Sequence, residues 1–258
     1  MKTNTLGVVF QFTDCHVFDP ASKALHQGID TNASLLACLH GAKQCGTPDL
    51  IVFSGDLSHD ETVASYQFLA TSIVEYFADI TCLMQMGNHD DLHSMQQVFP
   101  YHNCVMQKHY RFDHWAVYLL ETQAQEACLQ DVQILPDTYR DLNALTAQTD
   151  IRNILVFMHY NLVGLQFRGI ECEVTETDRL RQAMFETGKI RCVSSGHIHQ
   201  EYHWLDRGII YTSTPTTGFQ SHLANGEESN ERIGFKRFEL FSDNSISMDT
   251  IRICPPIK

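Results

Sequence analysis

The sequence predicts an α/β protein in four layers, an α/β/β/α sandwich of two mixed β-sheets flanked by helices, and three observations carry that expectation. Short apolar runs recur along the 258 residues, and several stop at a polar cluster. Between them lie stretches with apolar residues at mixed three and four spacing, the period of an amphipathic helix. From Glu201 onward, runs of strand character follow one another without such stretches.

Taken in order, Leu6 to Phe12 is the first run and ends at Thr13-Asp14-Cys15-His16. A helix is expected over Thr31 to Gln44. Leu50 to Phe53 leads into Ser54-Gly55-Asp56, and Glu61 to Ala78 again has the helical period. Thr81 to Met86 runs into Gly87-Asn88-His89-Asp90. After a helix over Asp137 to Thr149, Ile154 to Met158 stops at His159-Tyr160. A last helix over Glu176 to Thr187 precedes Ile190 to Val193, which delivers Ser194-Ser195-Gly196-His197-Ile198-His199. Continuous apolar runs of this length read as strands buried on both faces. Alternation of strand with helix implies parallel pairing, with polar residues at the strand C-terminal ends meeting in one crevice. The remaining strands, Tyr202 to Leu205, Ile209 to Ser213, Gly234 to Phe241 and Ser245 to Ile253, are expected to form a second, largely antiparallel sheet. One domain over 1–258 accommodates all of this.

Composition narrows the function classes. A formal net charge of −13 and 18 Lys plus Arg argue against a protein that grips long nucleic acid, which needs clustered cations. No apolar run approaches the roughly 20 residues that cross a bilayer, and no signal-peptide pattern opens the chain. Nine cysteines, scattered without a Cys-x-x-Cys pair, fit reduced thiols, so a cytoplasmic location is expected. Most of them read as small buried hydrophobes. Cys15 lies between two candidate ligands and is expected to point away from them, because side chains alternate along extended backbone.

The chemistry sits in the five polar clusters. Singly, each is an ordinary strand end; together they supply Asp14, His16, Asp56, Asn88, His159, His197 and His199. Carboxylate, imidazole and amide oxygen form a ligand set for Fe, Mn or Zn, and no thiolate is among them. Alternation along an extended Gly196-His197-Ile198-His199 would put both imidazoles on one face, so that two neighbouring metals each receive one. The other histidines read as surface or core hydrogen-bonding groups, with His59 and His93 nearest the site loops.

In this order, Asp14-x-His16, Gly55-Asp56, Gly87-Asn88-His89-Asp90, His159 and Gly196-His-x-His199 resemble the five-block signature of the calcineurin-like metallophosphoesterases. The likeness extends through Ser54-Gly-Asp-Leu57 with Asp60, Gly196-His-Ile-His-Gln200 and Thr214-Pro-Thr-Thr217 with Gln220. That narrower pattern is similar to the bacterial class III 3′,5′-cyclic-AMP phosphodiesterases. Met86 stands where proline often precedes Gly-Asn-His-Asp, Tyr160-Asn161 replaces His-Pro, and Ser221 stands where that group tends to have Phe. No ligand position is lost.

The resemblance implies a metal-dependent phosphoric ester hydrolase with two divalent or mixed-valence ions, Fe and Mn first and Zn third. It assigns Asp14, His16, Asp56 and His199 to one ion and Asp56, Asn88, His159 and His197 to the other, with Asp56 shared. The ions would bind the phosphate and acidify a water to hydroxide, which attacks in line. Asn88 and His89 would lie at the substrate phosphate, His89 assisting the leaving oxygen, and Asp90 would orient His89 through a ring nitrogen. Thr214 and Gln220 either contact the substrate or belong to a turn that packs the second sheet. The implied partner is a small phosphate ester, a 3′,5′-cyclic nucleotide such as cyclic AMP by this likeness, and a homodimer is compatible with it. A 2′,3′-cyclic nucleotide, a phosphomonoester or a nucleotide pyrophosphate are the alternatives within the enzyme class. A scaffold of the same fold that had abandoned catalysis would have lost ligands, and here all seven remain with His89.

Overall fold

Alternation of side chains along the central strands decides the layering. The computed structural model describes residues 3–125, 128–134, 136–162, 166–167, 170–171, 177–219 and 233–254. In chain order the elements are β1 (Thr5–Phe12), α1 (Thr31–Gln44), β2 (Leu50–Ser54), α2 (Val63–Phe77), β3 (Cys82–Gln85) and α3 (Leu92–Val98). A 3-10 turn at Phe99–Tyr101 precedes β4 (Cys104–Val105), β5 (His109–Phe112), β6 (Trp115–Leu119), β7 (Gln123–Gln125) and β8 (Cys128–Gln133). Next come α4 (Pro136–Thr146), β9 (Asn153–Phe157), β10 (Gln166–Phe167), β11 (Ile170–Glu171), α5 (Thr177–Thr187) and β12 (Ile190–Ser195). The chain closes with β13 (His203–Asp206), β14 (Ile209–Ser213), β15 (Ile233–Phe241) and β16 (Ile246–Ile253).

Two six-stranded sheets result, in the orders β16-β15-β1-β2-β3-β4 and β13-β14-β12-β9-β6-β5. On β2, Leu50 and Val52 face the second sheet while Ile51 and Phe53 face helices α1 and α2. On β9 the same alternation sends Leu155 and Phe157 inward and Ile154 and Val156 toward α4 and α5. Three apolar layers follow, one between the sheets and one under each set of helices, which gives the four-layer α/β/β/α order expected from the sequence. Burial on both faces explains why these strands read as unbroken apolar runs.

The last third departs from the expectation. Its strands do not build a sheet of their own: β13 and β14 extend the second sheet, and β15 and β16 extend the first. β14 is parallel to β12, whereas β15 is antiparallel to β1. Each sheet is therefore mixed, parallel at its centre and antiparallel at an edge. The reason is visible in β15, where Phe235 packs under the helices and Phe238 and Leu240 pack between the sheets. A strand apolar on both faces needs cover on both, and only a place inside an existing layer supplies it. The sequence pattern predicts neither helix α3 nor strands β4 to β6. Seven residues are too few for α3 to show a period, though Asp91 caps it by accepting from the Ser94 N–H at 2.8 Å. No helix among the described residues is long and apolar enough to cross a membrane.

Candidate metal centre

Strands β1, β2, β3, β9 and β12 end on the same side of the sandwich, and each delivers candidate ligands within a few residues of its C-terminus. The chain turns sharply there. Asp14, His16, Asp56, His197 and His199 all have positive φ, between 46° and 68°. Such conformations are uncommon outside glycine and gather at functional sites. This corrects the expectation of an extended Gly196 to His199: both imidazoles do reach the crevice, through left-handed turns rather than strand alternation.

The predicted ligands fall into two groups. Asp14, His16 and His199 bring their ligand atoms within 4.8 Å of one another, and so do Asp56, His159 and His197. All six except His197 are buried. Asp56 lies between the groups: its Oδ2 is 3.6 Å from His16 Nε2 and its Oδ1 is 3.4 Å from His159 Nε2. Asn88 Oδ1 stands 3.1 Å from the same His159 Nε2. His16 Nε2 and His199 Nε2 approach to 3.2 Å, and His199 Nε2 lies 3.4 Å from Asp14 Oδ1.

Hydrogen bonds at the rear of the rings fix which atoms face inward. His159 Nδ1 donates to the Ser54 carbonyl and His199 Nδ1 to the Phe219 carbonyl, each at 3.0 Å. Nε2 of each ring then faces carboxylate or amide oxygens, and once the ring has given up its second proton, as ligation requires, its lone pair points at theirs. Among the described residues, His197 Nδ1 is buried with no hydrogen-bond partner. Lone pairs converging on lone pairs, with an orphaned ring nitrogen beside them, make a donor set that a cation satisfies; the residues fit divalent metal ions.

Electrostatics agree. Burial pushes the His16 imidazole down to about 3 and, with the charge of His159, that of His197 down to about 4, so both rings are neutral near pH 7. Burial alone would raise Asp14 and Asp56. For Asp14 the charge of His199 outweighs it, and for Asp56 that of His159, so both carboxylates stay ionised. For His159, burial opposes the charged form, yet the Asp56 carboxylate beside it lifts its pKa to about 9. A carboxylate field strong enough to hold a proton there holds a metal ion by the same attraction.

The second rank of predicted residues sorts differently. The His89 ring stands 5.1 Å from that of His16, edge to face, and its backbone N–H donates to Asp56 Oδ1 at 2.9 Å. Asp90 does not turn toward His89. Its carboxylate accepts from the N–H groups of Leu57, Ser58 and Gly87 and from the Tyr66 hydroxyl, at 2.8 to 3.1 Å. It therefore ties the turn after β2 to the turn after β3, and burial, with the charge of Asp56, raises its pKa to about 6. Thr214 is also corrected: it is fully buried and its hydroxyl donates to Gln11 Oε1 at 2.6 Å, so it braces the two sheets beneath the site. Thr216 Oγ1 likewise donates to the Asp14 carbonyl at 2.6 Å. Gln220 lies outside the described residues. Cys15 is buried in the apolar cluster that also holds Phe12 and Leu39, and Thr217 Oγ1 donates to its Sγ at 3.1 Å. Burial pushes its thiol far above the usual range. His93 is exposed on α3, whereas His26 and His59 stand directly against the His16 ring. For His26 no local sequence signal existed, because only the return of the chain brings it there.

Residues 7–201 match the family model described as calcineurin-like phosphoesterase. The 3′,5′-cyclic adenosine monophosphate phosphodiesterase CpdA of Escherichia coli K12 is 25% identical over 258 residues, covering 95% of this chain and 89% of that protein. A 3′,5′-cyclic-nucleotide phosphodiesterase of Nostoc sp. PCC 7120 is 24% identical over 241 residues, covering 92% and 89%. Among solved structures, a dimetal phosphatase from Danio rerio superposes with a TM-score of 0.68 over 98% of this chain and 100% of that one, at 12% identity. The match spans well over half the residues and takes in every strand end described above, so the chain belongs to the calcineurin-like phosphoesterase family of metal-dependent phosphoric ester hydrolases.

Proposed function

We propose that this protein hydrolyses a small phosphodiester, 3′,5′-cyclic AMP first among them, at a centre of two metal ions. Asp14, His16, Asp56 and His199 would hold one ion, and Asp56, Asn88, His159 and His197 the other. The observation that carries this reading is Asp56, whose two oxygens face different imidazole groups, His16 on one side and His159 on the other. When bound, such ions supply positive charge for the phosphate and acidify a water. Fe or Mn suits the mixed oxygen and nitrogen donors, with Zn as the third choice.

The chain's own residues do the rest. Two buried carboxylates, Asp14 and Asp56, would repel a phosphate in the absence of cations, which makes metal loading a condition of substrate binding. Asn88 and His89 follow one another in a single turn, so one can face an ion while the other stands over the phosphate. There the His89 imidazole would give a proton to the departing alkoxide. Support for the cyclic nucleotide comes from relatives that match nearly the whole chain and carry that activity in their names. Thr214, buried under the site, adds nothing to that support.

The test is a substrate panel on metal-replete protein: 3′,5′-cyclic AMP, 2′,3′-cyclic AMP and 5′-AMP. Preferential cleavage of the first is expected. Cleavage of either of the others with none of the first removes the cyclic-AMP assignment and leaves the phosphoesterase assignment standing.

A further inference from the structure

The turn after β1 and the turn after β2 are laced together. Asp14 N donates to the Gly55 carbonyl at 2.9 Å, His16 N to Asp56 at 3.0 Å and Val17 N to Leu57 at 3.1 Å, and His59 N returns to Val17 at 2.9 Å. The lacing places the half-buried His59 ring beside His16, with their Nδ1 atoms 3.3 Å apart. A tight turn then presents a third imidazole. His26 and Ile29 exchange both backbone hydrogen bonds at 2.9 Å, and His26 Nδ1 meets His59 Nε2 at 3.3 Å. The His26 ring lies flat on Phe219, centroids 3.8 Å apart, and the Phe219 carbonyl is the acceptor that orients His199.

Hydrogen positions follow from this network. His16 Nε2 faces Asp56 and His199, so a neutral ring that ligates there carries its hydrogen on Nδ1 and needs an acceptor behind it. For His159 and His199 that acceptor is a backbone carbonyl. For His16 it is His59 Nδ1, which places the His59 hydrogen on Nε2, where His26 Nδ1 accepts it.

We propose that His59, held in place by His26, is a positioning residue for His16: it fixes the tautomer and ring orientation of that ligand and so sets the affinity of the ion position formed by Asp14, His16, Asp56 and His199. The inference rests on the two-ion reading above. Groups behind metal-ligating histidines act in this way, and losing one typically weakens metal binding by about 10- to 100-fold. A different role is also open to geometry, because His16, His59 and His89 bring ligand atoms within 4.8 Å and could together take an ion of their own.

Competition between the protein and a calibrated chelator for Mn separates these cases. The wild type is expected to bind two Mn per chain. His59→Ala should weaken one of the two by about 10- to 100-fold and leave the other unchanged. His59→Gln, whose amide oxygen can accept the Nδ1 hydrogen, should recover most of the loss, which a simple packing role would not predict. His26→Ala should weaken the same ion by a smaller factor. Equal affinities in the wild type and His59→Ala overturn the proposal, as does a wild type that binds three Mn and loses the third in His59→Ala. A wild type that holds no Mn overturns the two-ion reading itself.

Discussion

Replacing Gly87 by alanine puts a methyl group into the centre of the site without changing any charge or ligand. The added carbon would stand 2.2 Å from Asp56 Oδ1, 2.3 Å from the Asp56 nitrogen and 2.8 Å from His159 Cε1, where ordinary contact begins near 3.4 Å. Roughly 1 Å of movement is needed, and two of the three atoms belong to the residue that faces both ligand groups. A misplacement of that size costs about 100-fold in rate even when the chemistry is intact. Crowding a packed interior also costs about 1–3 kcal/mol of stability. The assay is hydrolysis of an aryl phosphodiester by Mn-loaded protein, with metal content measured alongside. A fall of about 100-fold is expected, together with weaker metal retention. Gly208→Ala serves as the control. Gly208 has φ +83° with nothing within 4 Å among the described residues, so alanine there should cost about 1–2 kcal/mol in backbone strain and leave catalysis unchanged. Activity of Gly87→Ala within a few-fold of wild type, with full metal content, would refute the placement of Asp56 at the centre.

Other outcomes follow from the same geometry. Asp56→Ala should lower metal content at both positions and Asn88→Ala at one, so an Asp56→Ala protein that still holds two metals contradicts the bridge. His89→Ala should keep both metals while kcat falls by about 100- to 10,000-fold, and loss of metal in that variant would make His89 a ligand instead. Metal affinity should depend on pH through His159. Without metal this ring keeps its proton up to about pH 9, so ligation must expel it, and affinity rises with pH until about 9 by up to roughly tenfold per unit. His16 and His197, already neutral above about pH 4, add no dependence in that range. Mn binding that is flat between pH 6 and 9, measured with a pH-independent competitor, would contradict the coupling.

Much of this site was legible in the sequence because ligands follow strands. An apolar run that stops at Asp14-Cys15-His16 or Gly196-His197-Ile198-His199 announces both the element and the place where it opens onto a crevice. Four strand ends gave six of the clustered residues, and a fifth gave Asn88. What stayed hidden depends on contacts between distant segments. Asp90 looks like a partner for the adjacent His89, but besides the Gly87 N–H of its own turn it accepts from the Leu57 and Ser58 N–H groups of the turn after β2 and from the Tyr66 hydroxyl on α2, and those distant donors cannot be read from spacing. Thr214 follows a strand as the ligands do, yet its neighbour across the sheets is Gln11, so its hydroxyl is spent on packing. The left-handed turns at His197 and His199 leave no mark in a sequence that carries histidine rather than glycine there. His26 enters through a two-residue turn at Gln27-Gly28 that folds the chain back on His16, and nothing in the sequence of that stretch marks the return. The division of the last third between two sheets has no signal in the sequence, because strand character says nothing about which edge a strand will join.

If two metal ions gathered around Asp56 carry the hydrolysis, activity must follow their number. The most direct test strips the protein with a chelator and follows aryl phosphodiester hydrolysis as Mn is returned in measured amounts. The stripped protein should be inactive, and activity should climb until two equivalents are bound and then level off. Full activity in protein shown to be metal-free, or saturation at a single equivalent, would contradict the account.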